Sequence, residues 1–279
     1  MVAFPPCKIN LGLNVIRKRN DGYHDIETCF YPIPWTDILE IIPSEEFGFS
    51  STGNTIPGNI DHNLCVKAYR NLNVPPVRIH LHKVIPTGAG LGGGSSDAAW
   101  TLRLLSDIFH LHLKKWELKQ LASQLGSDCA FFVEDGPMIG TGRGEVLTPA
   151  NVDLKGKFFV LIKPDIHIST AEAYQGIVPR EPEKRIVEVF DLPVSEWRSF
   201  LQNDFEDSIF KKYPEIRAIK NDLYEAGAIY ASMSGSGSAV FGIFAMDPDG
   251  GKSISDCHKF KVTTLEKIRP HIPAFSGWL

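Results

Sequence analysis

The sequence predicts an α+β fold in two domains, and three observations carry that prediction. The chain has 279 residues, which at about 100–200 residues per domain makes one large or two medium units. Apolar alternation at period two and helical spacing at 3.6 both occur in each half, so strands and helices are mixed throughout. A composition shift at Asn151-Val152-Asp153-Leu154-Lys155-Gly156 divides residues 1–152 from residues 153–279. A hydrophobic fraction of 43% against 22% charged supplies material for a core in both.

The elements follow in order. Ile9, Leu11, Leu13 and Val15 alternate and predict a strand from Ile9 to Val15. Asp21-Gly22 closes a polar turn. Strands from Asp25 to Tyr31 and from Ile38 to Ile42 complete a hairpin-rich opening, unlike the strand–helix–strand start of a dinucleotide-binding fold. Asn59-Ile60-Asp61-His62-Asn63 leads into Leu64 to Tyr69 as a capped helix start. Val77, Ile79 and Leu81 predict a strand reaching Ile85 that feeds a glycine-rich segment. Ala98, Leu102 and Leu105 then have helical spacing, as do Trp116, Leu118, Leu121 and Leu125, with Gly126 as the stop. Short strands are expected at Phe131–Val133 and Met138–Ile139. In the second half a strand is expected at Phe158–Ile162 and a loop at Pro179–Lys184. An amphipathic helix follows at Pro214–Ala226. Strands at Ile229–Met233 and Ala239–Phe244 flank a second glycine–serine turn.

Several function classes are excluded or disfavoured. The net charge of −4 gives no footprint for nucleic acid. No apolar run approaches the roughly 18–20 residues of a membrane span. The start, Met1 to Lys8, lacks the pattern of a secretion signal. Five cysteines, an odd number without a C-x-x-C pair, read as free thiols in a reducing cytoplasm. His80 with His82 and His110 with His112 form bare H-x-H pairs, a weak metal signal that reads as structural.

Chemistry concentrates in Pro86-Thr87-Gly88-Ala89-Gly90-Leu91-Gly92-Gly93-Gly94-Ser95-Ser96-Asp97-Ala98-Ala99. Backbone without Cβ can approach a phosphate closely, and the following helix adds unpaired N–H groups and the positive end of its dipole. The segment therefore reads as a cradle for a nucleotide triphosphate. Ser95 and Ser96 are either ligands of phosphate or Mg²⁺, or plain helix caps. The Walker pattern fails because no lysine follows the glycines. Gly88, Gly90 and Gly93 match G-x-G-x-x-G, but a second helix follows where a dinucleotide fold would place a strand and an acidic residue.

The same segment resembles the phosphate loop of the GHMP kinases, the superfamily of galactokinase, homoserine kinase, mevalonate kinase and phosphomevalonate kinase. Pro6-Cys7-Lys8-Ile9-Asn10-Leu11 resembles its first motif, and Met233-Ser234-Gly235-Ser236-Gly237-Ser238 its third. Asn20-Asp21-Gly22-Tyr23-His24, Asn63-Leu64 with Lys67-Ala68, the Gly-Gly-Gly-Ser-Ser-Asp form of the loop, and Gly126-Ser127-Asp128-Cys129-Ala130-Phe131-Phe132 together resemble one branch. That branch is the family of 4-diphosphocytidyl-2-C-methyl-D-erythritol kinases. Many relatives have G-A-D-V-P-F-F at the last position, a departure that keeps the aspartate.

The resemblance implies a two-domain fold: an N-terminal domain like domain 2 of ribosomal protein S5, which binds ATP, and a ferredoxin-like C-terminal domain that completes the cleft. It implies an ATP-dependent, Mg²⁺-assisted kinase of a small cytidine-bearing alcohol. Lys8 and Asp128 would be the catalytic pair, Asp128 accepting or orienting the substrate hydroxyl proton and Lys8 stabilising charge. Asn63, Leu64 and Lys67 would bind adenosine. Pro86, Gly88, Ala89, Gly90, Leu91, Gly92, Gly93, Gly94, Ser95 and Ser96 would hold the phosphates. Asn10, Tyr23, His24, Thr170 and Tyr174 would bind substrate. A phenol ring and a neutral imidazole suit a pyrimidine, and Tyr174 would be the second stacking ring. Ser234, Gly235, Ser236 and Gly237 would buttress the site.

Overall fold

The computed structural model describes residues 1–248 and 260–264. The hairpin-rich opening consists of β1 (Val2–Ala3), β2 (Pro6–Lys18), β3 (His24–Thr36), β4 (Ile38–Pro43) and β5 (Gly48–Gly53). β2 and β3 are longer than the alternation suggests and pair antiparallel from Lys18↔His24 to Pro6↔Thr36. Their register shifts between Leu11 and Leu13, where Gly12 takes φ +70°. β5 was not foreseen, because its Ser-Ser-Thr run carries no apolar alternation; its parallel pairing with a neighbouring strand defines it instead.

A 3₁₀ turn at Ile60–His62 leads to α1 (Leu64–Leu72), β6 (Val77–Lys83), α2 (Gly93–Ile108) and α3 (Lys115–Leu125). The Asn63 side chain accepts a hydrogen bond from the Cys65 N–H and caps α1, as its position predicted. In β6 the alternate residues Val77, Ile79 and Leu81 are buried against α2, and the sheet order is β1-β4-β6-β5. α2 starts at Gly93, before the first apolar residue of its stripe, so the last glycines of the loop are its first turn. The segment Phe131–Val133 is a 3₁₀ turn, not a strand. Its i→i+3 bonds, such as Val133 N–H to Ala130 O at 3.2 Å, satisfy the backbone locally while both phenylalanines are buried beneath α2 and α3. β7 (Met138–Thr141) and β8 (Val146–Pro149) extend the first hairpin into a sheet of order β2-β3-β7-β8.

The second half contains β9 (Phe158–Ile162), α4 (Thr170–Gln175), α5 (Ile186–Val189), a 3₁₀ turn at Val194–Ser199, α6 (Glu206–Lys212), α7 (Pro214–Glu225), β10 (Tyr230–Met233), β11 (Val240–Phe244) and β12 (Phe260–Thr264). All its strand pairs are antiparallel, in the order β10-β11-β9-β12, which is the ferredoxin-like order. Pro214 opens α7, where its missing N–H costs nothing.

One hydrophobic cluster runs through both halves. Cys7, Ile9 and Leu11 of β2 pack with Phe159 and Leu161 of β9, Phe241 of β11, and Trp197 and Leu201. Leu154, inside the composition shift, is itself buried in this cluster. Cys7, Cys29, Cys65 and Cys129 are buried free thiols, and Cys257 lies outside the described residues. His80 and His82 bond the hydroxyls of Ser50 and Thr52 across β5 and β6. Among the described residues no group of His, Cys, Asp and Glu is arranged to hold a metal ion, and no helix is long and apolar enough to cross a membrane.

Candidate active site

Period two in β2 sends Cys7, Ile9 and Leu11 into the shared core and turns Lys8 and Asn10 to the other face. That face borders a cleft of about 760 Å³. Lys8, Asn10, Tyr23, His24, Pro86, Gly88, Ala89, Gly90, Gly92, Gly93, Gly94, Ser95, Asp128, Thr170, Tyr174, Gly235 and Ser236 all line it. Residues from both halves of the chain thus converge on one cavity.

The phosphate loop takes its shape from left-handed glycines at Gly88, Gly90 and Gly92. At Gly90 a side chain is impossible: a Cβ there would lie 2.0 Å from the Ser234 carbonyl oxygen. The loop is clamped from both sides. Lys8 N–H donates to Leu91 O at 2.9 Å, Ser234 Oγ donates to Gly90 O at 2.9 Å, and Ala239 N–H donates to Ala89 O at 3.1 Å. The N-cap of α2 is Gly92 and its first intrahelical bond runs from Ser96 N–H to Gly92 O, so Gly93, Gly94 and Ser95 have N–H groups without helical partners. Neither serine is a cap. Burial pushes the neighbouring Cys129 thiol up to about 12, with Ser95 opposing the shift. Ser96 Oγ is buried and has no protein partner.

Lys8 is 3% exposed. Its Nζ donates to Asn10 Oδ1 at 2.5 Å and to Gly90 O at 2.8 Å, and stands 3.5 Å from Asp128 Oδ2. Burial lowers its pKa and the Asp128 carboxylate opposes that shift. Asp128 lies within the turn closed by Cys129 N–H to Gly126 O, and its side chain is one-third exposed. Asn10 is fully engaged, with Oδ1 on Lys8 and Nδ2 donating to Thr28 Oγ1 at 2.9 Å. It borders the cleft chiefly as the residue that orients Lys8.

At the far end, His24 stacks on Tyr174 with ring centroids 4.7 Å apart and planes 20° from parallel. Burial, helped by Lys18, lowers the His24 pKa and favours the neutral imidazole. Tyr23 is half exposed, and the Arg143 guanidinium lies 5.0 Å from its ring centroid. Tyr174 therefore meets His24 directly, not Tyr23 across a gap, because the first residue of β3 faces the last turn of α4. Ser169 holds that short helix, its Oγ accepting the Glu172 N–H at 3.1 Å.

A second cavity, about 350 Å³, adjoins the phosphate loop and is lined by Asn63, Leu64, Phe49, Ile56, Thr87 and Gly94, among others. Lys67 sits one turn further along α1 on its exposed face and lines neither cavity. Leu91, Ser96, Ser234 and Gly237 stand behind the cleft surface: Leu91 and Ser234 are buried and hold the loop through their backbone and hydroxyl groups.

Three features escaped sequence reasoning. Arg143 lies in a Gly-Arg-Gly turn that reads as solvated surface. Asn203 is buried and donates to both Met233 O and Gly235 O at 2.8 Å, fixing the third motif from beneath. Lys83 is buried between Asp37 and Asp97, pairing with both. Asp37 also accepts the N–H groups of Val84 and Ile85, and Asp97 stands in α2. Burial, reinforced by Asp37, pushes Asp97 up to about 7, with Lys83 pulling the other way. A lysine ending the strand before the glycines and an aspartate after them were the available signals.

Comparison with known proteins agrees with this geometry. A model of the GHMP kinases N terminal domain matches residues 63–137, and one of the GHMP kinases C terminal region matches residues 193–256. The chain is 53% identical over 254 residues to 4-diphosphocytidyl-2-C-methyl-D-erythritol kinase of Cytophaga hutchinsonii, covering 89% of this chain and 94% of that protein. It is 50% identical over 248 residues to the enzyme of the same name from Parabacteroides distasonis, covering 88% and 92%. A crystal structure of 4-(cytidine 5'-diphospho)-2C-methyl-D-erythritol kinase superposes with a TM-score of 0.78 at 30% identity, covering 95% of this chain and 98% of that one. The mevalonate kinase of Methanococcus jannaschii shares the fold, with a TM-score of 0.67 at 16% identity over 94% and 96% of the chains. With the phosphate loop, the Lys8–Asp128 pair and both halves accounted for, this chain belongs to the 4-diphosphocytidyl-2-C-methyl-D-erythritol kinase family of the GHMP kinases.

Proposed function

We propose that the chain transfers the γ-phosphoryl group of ATP to the 2-hydroxyl of 4-diphosphocytidyl-2-C-methyl-D-erythritol, a step of non-mevalonate isoprenoid precursor biosynthesis. The observation that carries the reading is the Lys8–Asp128 pair, 3.5 Å apart, beside a left-handed glycine loop at a helix N-terminus. Phosphoryl transfer depends on in-line positioning and charge stabilisation, and these groups supply both. Backbone N–H groups from Gly88 to Ser95 hold the phosphates, and the cavity at Asn63 and Leu64 takes the adenosine. Asp128 accepts or orients the proton of the attacking hydroxyl. The bond from that oxygen to the γ-phosphorus forms as the bond to the ADP oxygen breaks. Lys8 lies where charge develops on the transferring group.

Tyr23, His24, Thr170 and Tyr174 hold the cytidine, and Ser234 to Gly237 back the phosphate loop. Mg²⁺, when bound, neutralises charge on the ATP phosphates. Hard oxygen donors suit it, and Ser95 Oγ, Ser127 Oγ and the Asp128 carboxylate are among the oxygens that line the cleft, with the orphaned Ser96 Oγ buried behind them. The reading includes an ATP-binding and catalytic domain at residues 1–152 and a domain at 153–279 that completes the cleft. It also includes a cytoplasmic location, which four buried free thiols support, and a small-molecule substrate with neither nucleic acid nor membrane as partner.

The test is ADP release from Mg-ATP with 4-diphosphocytidyl-2-C-methyl-D-erythritol, run beside mevalonate, homoserine and galactose. Release with the cytidine substrate alone is expected. Release with another alcohol would keep the kinase chemistry and discard the cytidine pocket, and no release with any would discard the reaction.

A further inference from the structure

We propose that the C-terminal half carries a second anion site, separate from the catalytic cleft, which takes the phosphate or diphosphate group of a small molecule and reports its occupancy to the cleft. A cavity of about 310 Å³ opens among the 3₁₀ turn at Val194–Ser199, α6 and α7. That volume is at the lower end of small-molecule sites, which span about 300–1,000 Å³. Four cationic side chains line it: Arg180, Arg198, Arg217 and Lys220. Such a concentration stands out in a chain of net charge −4. On α7, Arg217, Lys220 and Tyr224 fall at helical spacing on one face.

The arginines are presented for an oxyanion. The Arg198 guanidinium lies 4.1 Å from the Tyr224 ring centroid and that of Arg217 lies 5.8 Å from Phe210. An aromatic ring beside a guanidinium takes up no conventional hydrogen-bond donor, so the N–H groups stay available to phosphate oxygens. Three carboxylates also line the cavity: Asp204, Glu206 and Asp207. Two of them are committed to the fold. Glu206 accepts from Met233 N–H at 2.7 Å, Ser232 Oγ at 3.0 Å and Lys220 Nζ at 2.5 Å. Asp204 accepts from Val15 N–H at 2.7 Å and faces Arg180 at 3.4 Å. These pairings leave Asp207 as the remaining lining carboxylate against Arg198 and Arg217, so the lining carries an excess of positive charge.

The inner wall links the cavity to catalysis. Asn203 lines it and holds Met233 O and Gly235 O, and Gly235 lines the catalytic cleft. Glu206 grips the same strand end through Met233 N–H. An anion that shifts the pairing of Lys220 with Glu206 therefore acts on a residue that positions the third motif, and the linkage is reciprocal.

The test uses the full chain with its cleft filled by a non-hydrolysable ATP analogue and cytidine diphosphate. Inorganic phosphate and then inorganic diphosphate are titrated calorimetrically. We expect one equivalent to bind, with Arg198→Gln and Arg217→Gln each weakening it at least tenfold. Both side chains are exposed, so the variants should keep the wild-type melting temperature and, without added anion, turnover within twofold. Asp128→Asn should retain the binding. The tighter of the two anions identifies the ligand class. Saturating anion should change KM for the alcohol substrate in wild type and leave it unchanged in Arg198→Gln. No binding with the cleft filled, or binding indifferent to both substitutions, would overturn the site. Binding without any change in KM would overturn its link to the cleft. The titration needs no turnover, so its outcome is independent of the proposed reaction.

Discussion

At the residue scale, the site rests on two ionised side chains whose environments differ. Lys8 is buried and held by three partners, whereas Asp128 is open to the cleft. Under the proposed mechanism, removing the carboxylate removes the group that accepts or orients the hydroxyl proton and leaves the glycine-rich loop in place. Asp128→Ala should therefore lower kcat by about 10²–10⁴, the range for a positioned acid–base group, with ATP affinity within a few-fold. Unchanged turnover would remove Asp128 from the chemistry. Lys8 makes a different prediction, because burial lowers its pKa from the ordinary 10.5. The cation is the active form, so kcat should fall as pH rises, with the descending limb below the pKa of a free lysine. Lys8→Arg, which keeps its charge across that range, should flatten the limb in whatever activity it retains. A limb that persists unchanged in the arginine variant would assign the titration to another group.

At the element scale, the phosphate loop is defined by what its glycines touch. A Cβ on Gly90 would meet the Ser234 carbonyl oxygen, a backbone atom that cannot swing away, and φ there is +76°. Gly90→Ala should cost about 1–3 kcal/mol in urea unfolding and should lower ATP affinity at the same time. Gly136→Ala, where a Cβ meets nothing within 4 Å, should change neither and serves as the control. This loop was the most legible part of the sequence, since a phosphate cradle needs glycine at such positions and little else supplies the pattern. Its junction with α2 was less legible. Gly93, Gly94, Ser95 and Ser96 are poor helix formers that carry no apolar spacing, and Gly93 sits so close to the Ile85 side chain that a Cβ there would lie 2.8 Å from Ile85 Cγ2. Phe131–Val133 misled for the converse reason: strand-like residues, but no strand alongside.

The buried charges beneath α2 belong to the same scale. Two carboxylates share one lysine, and burial, reinforced by Asp37 and opposed by Lys83, pushes Asp97 from its ordinary 3.8 up to about 7. The folded state then binds a proton there more tightly than the unfolded chain. The resulting stability is present in full below pH 3.8 and is lost as pH rises through 7. Asp97→Asn does not titrate. Its stability deficit against wild type in urea should therefore be larger at pH 5 than at pH 8. A deficit that grows toward pH 8 would mean that Asp97 is ionised and bound to Lys83 as a simple ion pair.

At the scale of the whole molecule, the composition shift at residues 151–156 and the continuity of the core pull in different directions. Sequence shows the covalent link but not the surfaces that close over it: Ile9 and Leu11 read equally well as the core of a lone N-terminal domain. In the structure they pack on Phe159, Leu161 and Phe241. The catalytic cleft has the same character, since Lys8 and Asp128 come from one half and Tyr174, Gly235 and the supporting Asn203 from the other. Separating the halves would expose this cluster and strip the phosphate loop of its bonds from Ser234 and Ala239. Burial is worth about 25 cal/mol per Å² of apolar surface, so a shared core couples the halves far more strongly than a polar interface would. The chain should accordingly unfold in one calorimetric transition, its van't Hoff and calorimetric enthalpies equal. A non-hydrolysable ATP analogue, whose proposed contacts lie in the first half, should slow amide exchange in β9 and β11 as much as in β2. Two transitions, or protection confined to the first half, would show that the halves fold independently and meet only at the cleft.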